Sequence, residues 1–202
     1  MDAFIHGFLL AFGLILPLGV QNVFVFNQGA NQPTLFKAAP VIITAAICDT
    51  MLIAMAVLGV SVLVLKLNWL NTVLYGLGII FLIYMGWATW RSTVGSNAEE
   101  QPEAMPPKKQ ILFAASVSLL NPHAILDTVG VIGTSSLHYS GNDKWLFALA
   151  AILVSWFWFI GLALAGRLLG KKDGEGKWLK GLNKISALII WGTAVYLVHS
   201  LI

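Results

Sequence analysis

The chain has 202 residues, of which 58% are hydrophobic and 10% are charged, with a formal net charge of +3. A soluble domain carries about 25% charged residues, and the mean hydropathy of this chain is +0.81. These values exclude a disordered chain, a nucleic-acid-binding domain and a soluble enzyme. One cysteine, Cys48, excludes a disulfide framework. The composition therefore indicates an all-α integral membrane protein.

Six apolar stretches are long enough to cross a bilayer, for which a helix needs about 20 residues. They are residues 3–27, 38–65, 67–90, 111–137, 145–166 and 185–202. We predict six transmembrane helices in a single membrane domain. A polar linker, 91–110, would separate a first three-helix repeat (1–90) from a second one (111–202).

The basic residues predict the orientation of the chain. With six spans, the loops at 28–37, 91–110 and 167–184 share one side of the membrane, and they hold 10 of the 12 Lys and Arg residues. The positive-inside rule places these basic loops in the cytoplasm and both termini outside. A membrane thus accounts for the basic charge, and we expect lipid rather than nucleic acid as the surrounding partner.

The two halves of the sequence show a short internal similarity. An alignment of residue 8 with residue 113 pairs Pro17 with Pro122 and Asn22 with Asp127. Each half has an odd number of predicted spans, so the halves cross the membrane in opposite directions. The sequence therefore predicts two inverted repeats, an arrangement common in secondary transporters.

Each aligned proline lies within a predicted span and is flanked by residues that favour a broken helix. Proline removes a backbone hydrogen bond, and in lipid the freed carbonyls need other partners. Gly19, Gln21 and Asn22 follow the first proline, and Asn121 precedes the second one. A packing kink is the alternative interpretation, but two breaks at corresponding positions favour a binding site.

Two carboxylates lie near the middle of predicted spans that contain no Lys or Arg. Placing Asp49 or Asp127 there costs about 2.5–3.5 kcal/mol. Such a group either binds a proton or faces water and binds a cation, and both states suit a transporter. The alternative is a protonated Asp that serves helix packing. His123 lies one turn before Asp127 and either relays protons or hydrogen-bonds to backbone freed at the kink.

The remaining patterns carry less information. The spacing of Ala3, Gly7 and Ala11 indicates close helix packing or a homodimer face. The aromatic run 156–159 is typical of lipid-facing or packed side chains rather than of a cation-binding cage. No His, Cys or acidic spacing predicts a metal site, and no catalytic or nucleotide-binding motif occurs. We therefore expect neither an enzyme nor a bound cofactor.

Two longer runs resemble a known family. ILPLGVQNVFVFNQG (15–29) and LNPHAILDT (120–128) are similar to the signature segments of the lysine-exporter (LysE) family, and within it to the branch of lysine and arginine exporters. The resemblance extends to Asp49, the helix number and the chain length. One departure is Val20, where the family usually has a second proline, in Gly-Pro-Gln-Asn.

The resemblance implies export of a cytoplasmic amino acid across a bacterial cell membrane, driven by the proton gradient. We expect a site midway through the membrane between the halves, where the carboxylates favour Lys or Arg as substrate. Its substrate-binding residues would be Pro17, Gly19, Gln21, Asn22, Asp49, Asn121, Pro122 and Asp127. The candidates for proton coupling are Asp49, Asp127 and His123. Alternatives are an exporter of neutral amino acids or of a divalent cation, a membrane enzyme, and a non-transporting assembly subunit.

Overall fold

The computed structural model shows a helical chain. It describes residues 2–16, 19–59, 76, 79–80, 82–84, 86–87, 90–91, 104–121, 124–125, 128–172, 181, 184–185, 187–188, 190–192, 194–195 and 198–199. The helices in chain order are α1 (Asp2–Ile15), α2 (Val20–Asn31), α3 (Leu35–Val57), α4 (Pro107–Leu119), a π-helix (Thr128–Gly133) with one further turn (Thr134–Ser136), and α5 (Gly141–Lys172). No strand occurs in these residues.

Two of these helices are each long and apolar enough to cross a membrane. They are α3 and α5, and the α1–α2 pair qualifies as a third span if its bend is allowed. The residues described in the predicted third and sixth spans, 67–90 and 185–202, are helical. The count of six spans and the inverted-repeat arrangement stay predictions, because most of the third span and much of the sixth lie outside the described residues.

The predicted first span, 3–27, is broken near its proline, as the sequence predicted, and α1 and α2 meet at an angle of 79°. Proline at position 17 disfavours a continuous helix, and Gly19 adopts extended backbone as the residue that precedes α2. The Asn22 side-chain amide donates to the carbonyl of Ile15, 2.8 Å away. This bond satisfies a carbonyl that the end of α1 leaves without a helical partner.

Val20, the departure from the family sequence, is the first residue of α2. At this position a proline costs no helical hydrogen bond, because the first N–H groups of a helix have no partner within it. Val20 is buried instead, in a cluster with Leu82, Val117 and Ile190. The helix break therefore persists without the second proline.

The bounds of α3 differ from the predicted span 38–65. The helix begins at Leu35, because the Thr34 hydroxyl caps it by accepting from the Lys37 N–H at 3.3 Å. It ends at Val57, and Gly59 then adopts a left-handed conformation with φ of 92°. Such a glycine is a common helix stop, because it lacks the Cβ that disfavours positive φ. Most of the predicted loop 28–37 is consequently helical.

A second break follows α4, within the predicted span 111–137 and beside the proline at which the sequence predicted one. In the alignment of the two halves, Ile15, the last residue of α1, pairs with Leu120, which comes one residue after the end of α4. Residues 128–133 then form the π-helix, a rare geometry that often occurs at functional sites. The two interruptions therefore fall at corresponding positions of the two halves.

Helix α5 is a continuous helix, longer at both ends than the predicted span 145–166, and it packs along both α1 and α2. A Cβ atom on Gly7 would overlap the backbone of Phe147, and one on Gly166 would overlap the Phe26 carbonyl. The buried face of α1 that contains Gly7 thus packs within the chain rather than forming a free dimer face. A homodimer stays a prediction.

Hydrogen bonds join some described residues of the three predicted basic loops. The Gln32 side-chain amide donates to the Met105 carbonyl at 2.9 Å, and that of Gln110 donates to the Lys37 carbonyl at 2.9 Å. The Arg167 guanidinium donates to the Gln32 carbonyl at 3.4 Å. These bonds connect segments that are distant in sequence, and the placement of the three loops on one side of the membrane stays a prediction.

Candidate functional site between α2, α3 and α5

Asp49 lies within α3, where its carboxylate faces two other helices. One oxygen, Oδ1, accepts a hydrogen bond from the Gln21 side-chain amide of α2 at 3.2 Å. The other, Oδ2, accepts from the Ser155 hydroxyl of α5 at 3.1 Å. Two neutral donors on two helices thus hold this half-buried carboxylate. It is therefore positioned but not neutralised by these donors.

The helix break positions Gln21 beside this carboxylate. Because α2 begins at Val20, Gln21 lies in its first turn, and its side chain reaches α3. Gly19 precedes the helix and, as a glycine, offers no side chain to cap it. The first N–H groups of a helix have no helical partner and carry the positive end of the helix dipole, so they favour anions. The positive end of α2 and a carboxylate are thus neighbours.

A second polar contact lies next to the first. The Trp156 indole N–H of α5 donates to the Thr50 hydroxyl of α3 at 3.1 Å. Thr50 in turn donates to the Ala46 carbonyl at 2.7 Å, within its own helix. Consecutive residues of α5 therefore contact consecutive residues of α3. Trp156 is thus a packed aromatic side chain, one of the two predicted settings, whereas Phe157 is 70% exposed.

The structure brings together some of the predicted site residues. Gln21 and Asp49 are in contact, Gly19 precedes α2, and Asn22 connects the two half-helices. Asn121 follows α4, and its carbonyl accepts from the N–H of Ile125 at 3.1 Å. The predicted residues Pro17, Pro122, His123 and Asp127 lie outside the described residues. Their places in the site stay predictions.

The sequence analysis missed Ser155, although this residue is 3% exposed and contacts the central carboxylate. Ser155 lies in an apolar run that offers no repeat and no motif. The available signal was a hydroxyl near the middle of a predicted span. Nothing in the spacing connects Ser155 with Asp49, 106 positions earlier, because that contact depends on how α5 packs against α3.

Two further findings bear on the chemistry. Among the described residues, no group of three or more His, Cys, Asp or Glu side chains could hold a metal ion. His6, to which the sequence assigned no role, lies 2.8 Å through its Nδ1 from the Tyr139 hydroxyl. This contact joins α1 to the segment before α5, away from the carboxylate.

Apolar helices, a helix break and a carboxylate beside the start of the second half-helix are typical of secondary transporters. The chain belongs to the LysE type translocator family, which it matches over residues 12–201. It is therefore a multi-pass membrane protein of an amino-acid exporter family, as the two sequence runs predicted.

Individual relatives agree with this assignment. The chain is 57% identical over 196 residues to a Bacillus subtilis protein named as an amino-acid transporter, YisU, covering 97% of this chain and 89% of that protein. It is 32% identical over 197 residues to the arginine exporter protein ArgO of Escherichia coli, covering 96% and 92%. The ArgO protein of an Enterobacter strain is also 32% identical, over 200 residues, with 98% and 93% covered. No solved structure matches the chain significantly.

Proposed function

We propose that this protein exports L-arginine, L-lysine or both from the cytoplasm in exchange for protons. The observation that carries the proposal is the Asp49 carboxylate, held by neutral donors beside the start of α2. A cation or a proton would neutralise that carboxylate, and an anion would suit the helix end. The names of the 32% identical relatives support arginine as a substrate.

The site suits an amino acid, which carries an anion and a cation on neighbouring atoms. The substrate carboxylate would accept from first-turn N–H groups of α2. Its α-ammonium would pair with Asp49, aided by backbone carbonyls at the helix breaks near Pro17 and Pro122. Asp127 would then pair with the cationic side chain, with Asn121 close by. Two carboxylates for two cationic groups favour a basic over a neutral substrate.

Proton coupling would follow from competition for the same carboxylate. Asp49 can bind a proton or pair with the substrate cation, and each event weakens the other. A proton that enters from outside would displace the substrate outward, and loss of that proton to the cytoplasm would restore the site. Asp127 and His123 are the other candidates for this exchange. One half of the protein would rock against the other to alternate access.

This direction of transport requires the predicted orientation in the cell membrane. The three basic loops would face the cytoplasm, and both termini would lie outside. The contacts among Gln32, Gln110 and Arg167 would then close the cytoplasmic end in the present structure. The opposite end, where His6 and Tyr139 interact, would face the exterior.

The proposal is tested by measuring efflux of preloaded radiolabelled arginine and lysine from cells with and without this protein. We expect efflux to accelerate with the protein and to stop when the proton gradient is collapsed. Asp49→Asn keeps the shape of the side chain but cannot bind a proton or balance a cation. Because a hydrogen bond or pair that involves a charge contributes about 1.5–3 kcal/mol, efflux should fall roughly tenfold or more.

Asp143→Asn is the matched control, since it makes the same change at an exposed residue in the first turn of α5. It should leave efflux unchanged, and both variants should reach the membrane in equal amounts. Normal efflux by Asp49→Asn would contradict the role of this carboxylate. A competition panel with neutral amino acids and divalent cations distinguishes the alternative substrates, and no efflux of any of them would favour an assembly subunit.

A further inference from the structure

Ser155 differs from other hydroxyl residues in the described helices. Thr50, Ser116 and Ser118 each donate to the carbonyl four residues earlier, at 2.7–2.8 Å. This bond within the helix is the usual choice for such residues in an apolar environment. Ser155 instead donates to Asp49 on another helix. A carboxylate, when ionised, is a stronger acceptor than a backbone carbonyl.

Ser155 therefore has two acceptors of different strength within reach. The Asp49 carboxylate is the better one while it is charged and empty. Helix geometry places the carbonyl of Ala151, four residues earlier, where the serine hydroxyl can turn to it. A proton or a substrate cation on Asp49 reduces the negative charge that attracts the hydroxyl. The preference of Ser155 thus depends on what the carboxylate carries.

The helix that carries Ser155 is in backbone contact with both half-helices of the broken span. Glycine permits this approach at Gly7 of α1, at Gly29 of α2 and at Gly166 of α5. Side chains therefore do not separate α5 from either half-helix at these points. The bond from Ser155 to Asp49 consequently connects α3 to the unit formed by α1, α2 and α5.

We propose that Ser155 is a positioning residue that holds the empty Asp49 carboxylate toward the start of α2 and releases it when the carboxylate is occupied. In the empty state, Ser155 and Gln21 both donate to the charged carboxylate and stabilise it. In the occupied state, the hydroxyl turns to its own helix and the polar connection between α5 and α3 is weakened. The inference rests on the proposed function and identifies one connection that changes during transport.

The first test is the concentration dependence of arginine efflux. Ser155→Ala removes a bond that only the empty state makes, so the substrate no longer competes with it, and the apparent KM should fall about tenfold while the maximal rate changes little. Ser155→Thr keeps the hydroxyl and should restore the KM. Ser136→Ala is the control, because Ser136 is equally buried but donates to the carbonyl of Gly133 in its own segment. Its KM should equal that of the unmodified protein.

An unchanged KM in Ser155→Ala would overturn the inference, and so would a KM that Ser155→Thr fails to restore although this variant is as stable as the unmodified protein. A merely structural role would lower the amount of protein in the membrane and the maximal rate together. It would leave the KM unchanged.

The second test does not depend on transport. The thermal midpoint of the purified protein is measured for Ser155→Ala alone and in an Asp49→Leu background, which offers no acceptor. If Ser155 acts through Asp49, its substitution should lower the midpoint in the first case and have at most half that effect in the second. Ser136→Ala should give the same change in both backgrounds.

Equal effects of Ser155→Ala in both backgrounds would overturn the inference. The two hypotheses fail separately in this design. If the protein exports neither arginine nor lysine, the proposed function is wrong. The comparison of thermal midpoints with and without Asp49→Leu still reports whether Ser155 acts through Asp49.

Discussion

The contact between α2 and α5 allows a sharp test of the packing argument, because two glycines of α5 have opposite surroundings. A Cβ on Gly166 would overlap the Phe26 carbonyl and lie 3.2 Å from the backbone nitrogen of Ala30. A Cβ on Gly161 would meet nothing within 4 Å. Gly166→Ala and Gly161→Ala are the same chemical change, five positions apart on one helix.

The expected difference follows from two opposing effects. Alanine favours a helix over glycine by about 0.5–1 kcal/mol, and this gain applies to both variants. Only Gly166→Ala forces two backbones apart, and such overpacking costs about 1–3 kcal/mol. Gly161→Ala should therefore be as stable as the unmodified protein or slightly more stable, and Gly166→Ala should be less stable than Gly161→Ala by about 1–3 kcal/mol.

The assay is thermal unfolding of the purified variants in one detergent at one heating rate, since irreversible unfolding makes the apparent midpoint depend on that rate. For a chain of this size, about 1 kcal/mol corresponds to about 2–4 °C, so the midpoints should differ by roughly 2–12 °C. Equal midpoints for the two variants would refute the close packing of α5 on α2. A lower thermal midpoint for Gly161→Ala alone would indicate that α2 packs against the face of α5 that contains Gly161, rather than the face that contains Gly166.

Two further predictions concern the helix break and the orientation. Asn22→Leu leaves the Ile15 carbonyl without the side-chain donor that it has now, so the free energy of unfolding should fall by about 1–3 kcal/mol; an unchanged thermal midpoint would show that this bond does not stabilise the break. In a Cys48→Ala background, a membrane-impermeant thiol reagent applied to intact cells should label Asn142→Cys but not Lys108→Cys, both at exposed positions. The reverse pattern would place the basic loops outside.

The membrane helices, the family and one helix break could be predicted from the sequence, because a bilayer tolerates few kinds of structure. The low charge content and the long apolar stretches require membrane helices, since lipid offers no partner for unpaired backbone groups. The two signature runs identified the family that the comparison over residues 12–201 confirms. Pro17 and Asp49 also indicated a helix break and a midspan carboxylate, because each is costly in an apolar helix without a function.

The helix bounds were less predictable, because hydropathy measures apolar length and not helix continuity. The stop at Gly59 depends on local backbone conformation. The apolar residues on both sides of it look alike in a hydropathy scan. The start of α3 depends on the Thr34 cap, whose single hydrogen bond outweighs a small difference in residue hydropathy.

By itself, the sequence determined that the protein lies in a membrane, which family it belongs to, and that Gln21 and Asp49 are candidate site residues, because these follow from composition and local chemistry. Only the tertiary structure decided that Ser155 donates the second hydrogen bond to the Asp49 carboxylate. It also decided that α5 contacts both halves of the broken span. Such contacts depend on the rotation and angle at which helices pack, and an apolar helix with similar residues on every face does not encode that rotation in its periodicity.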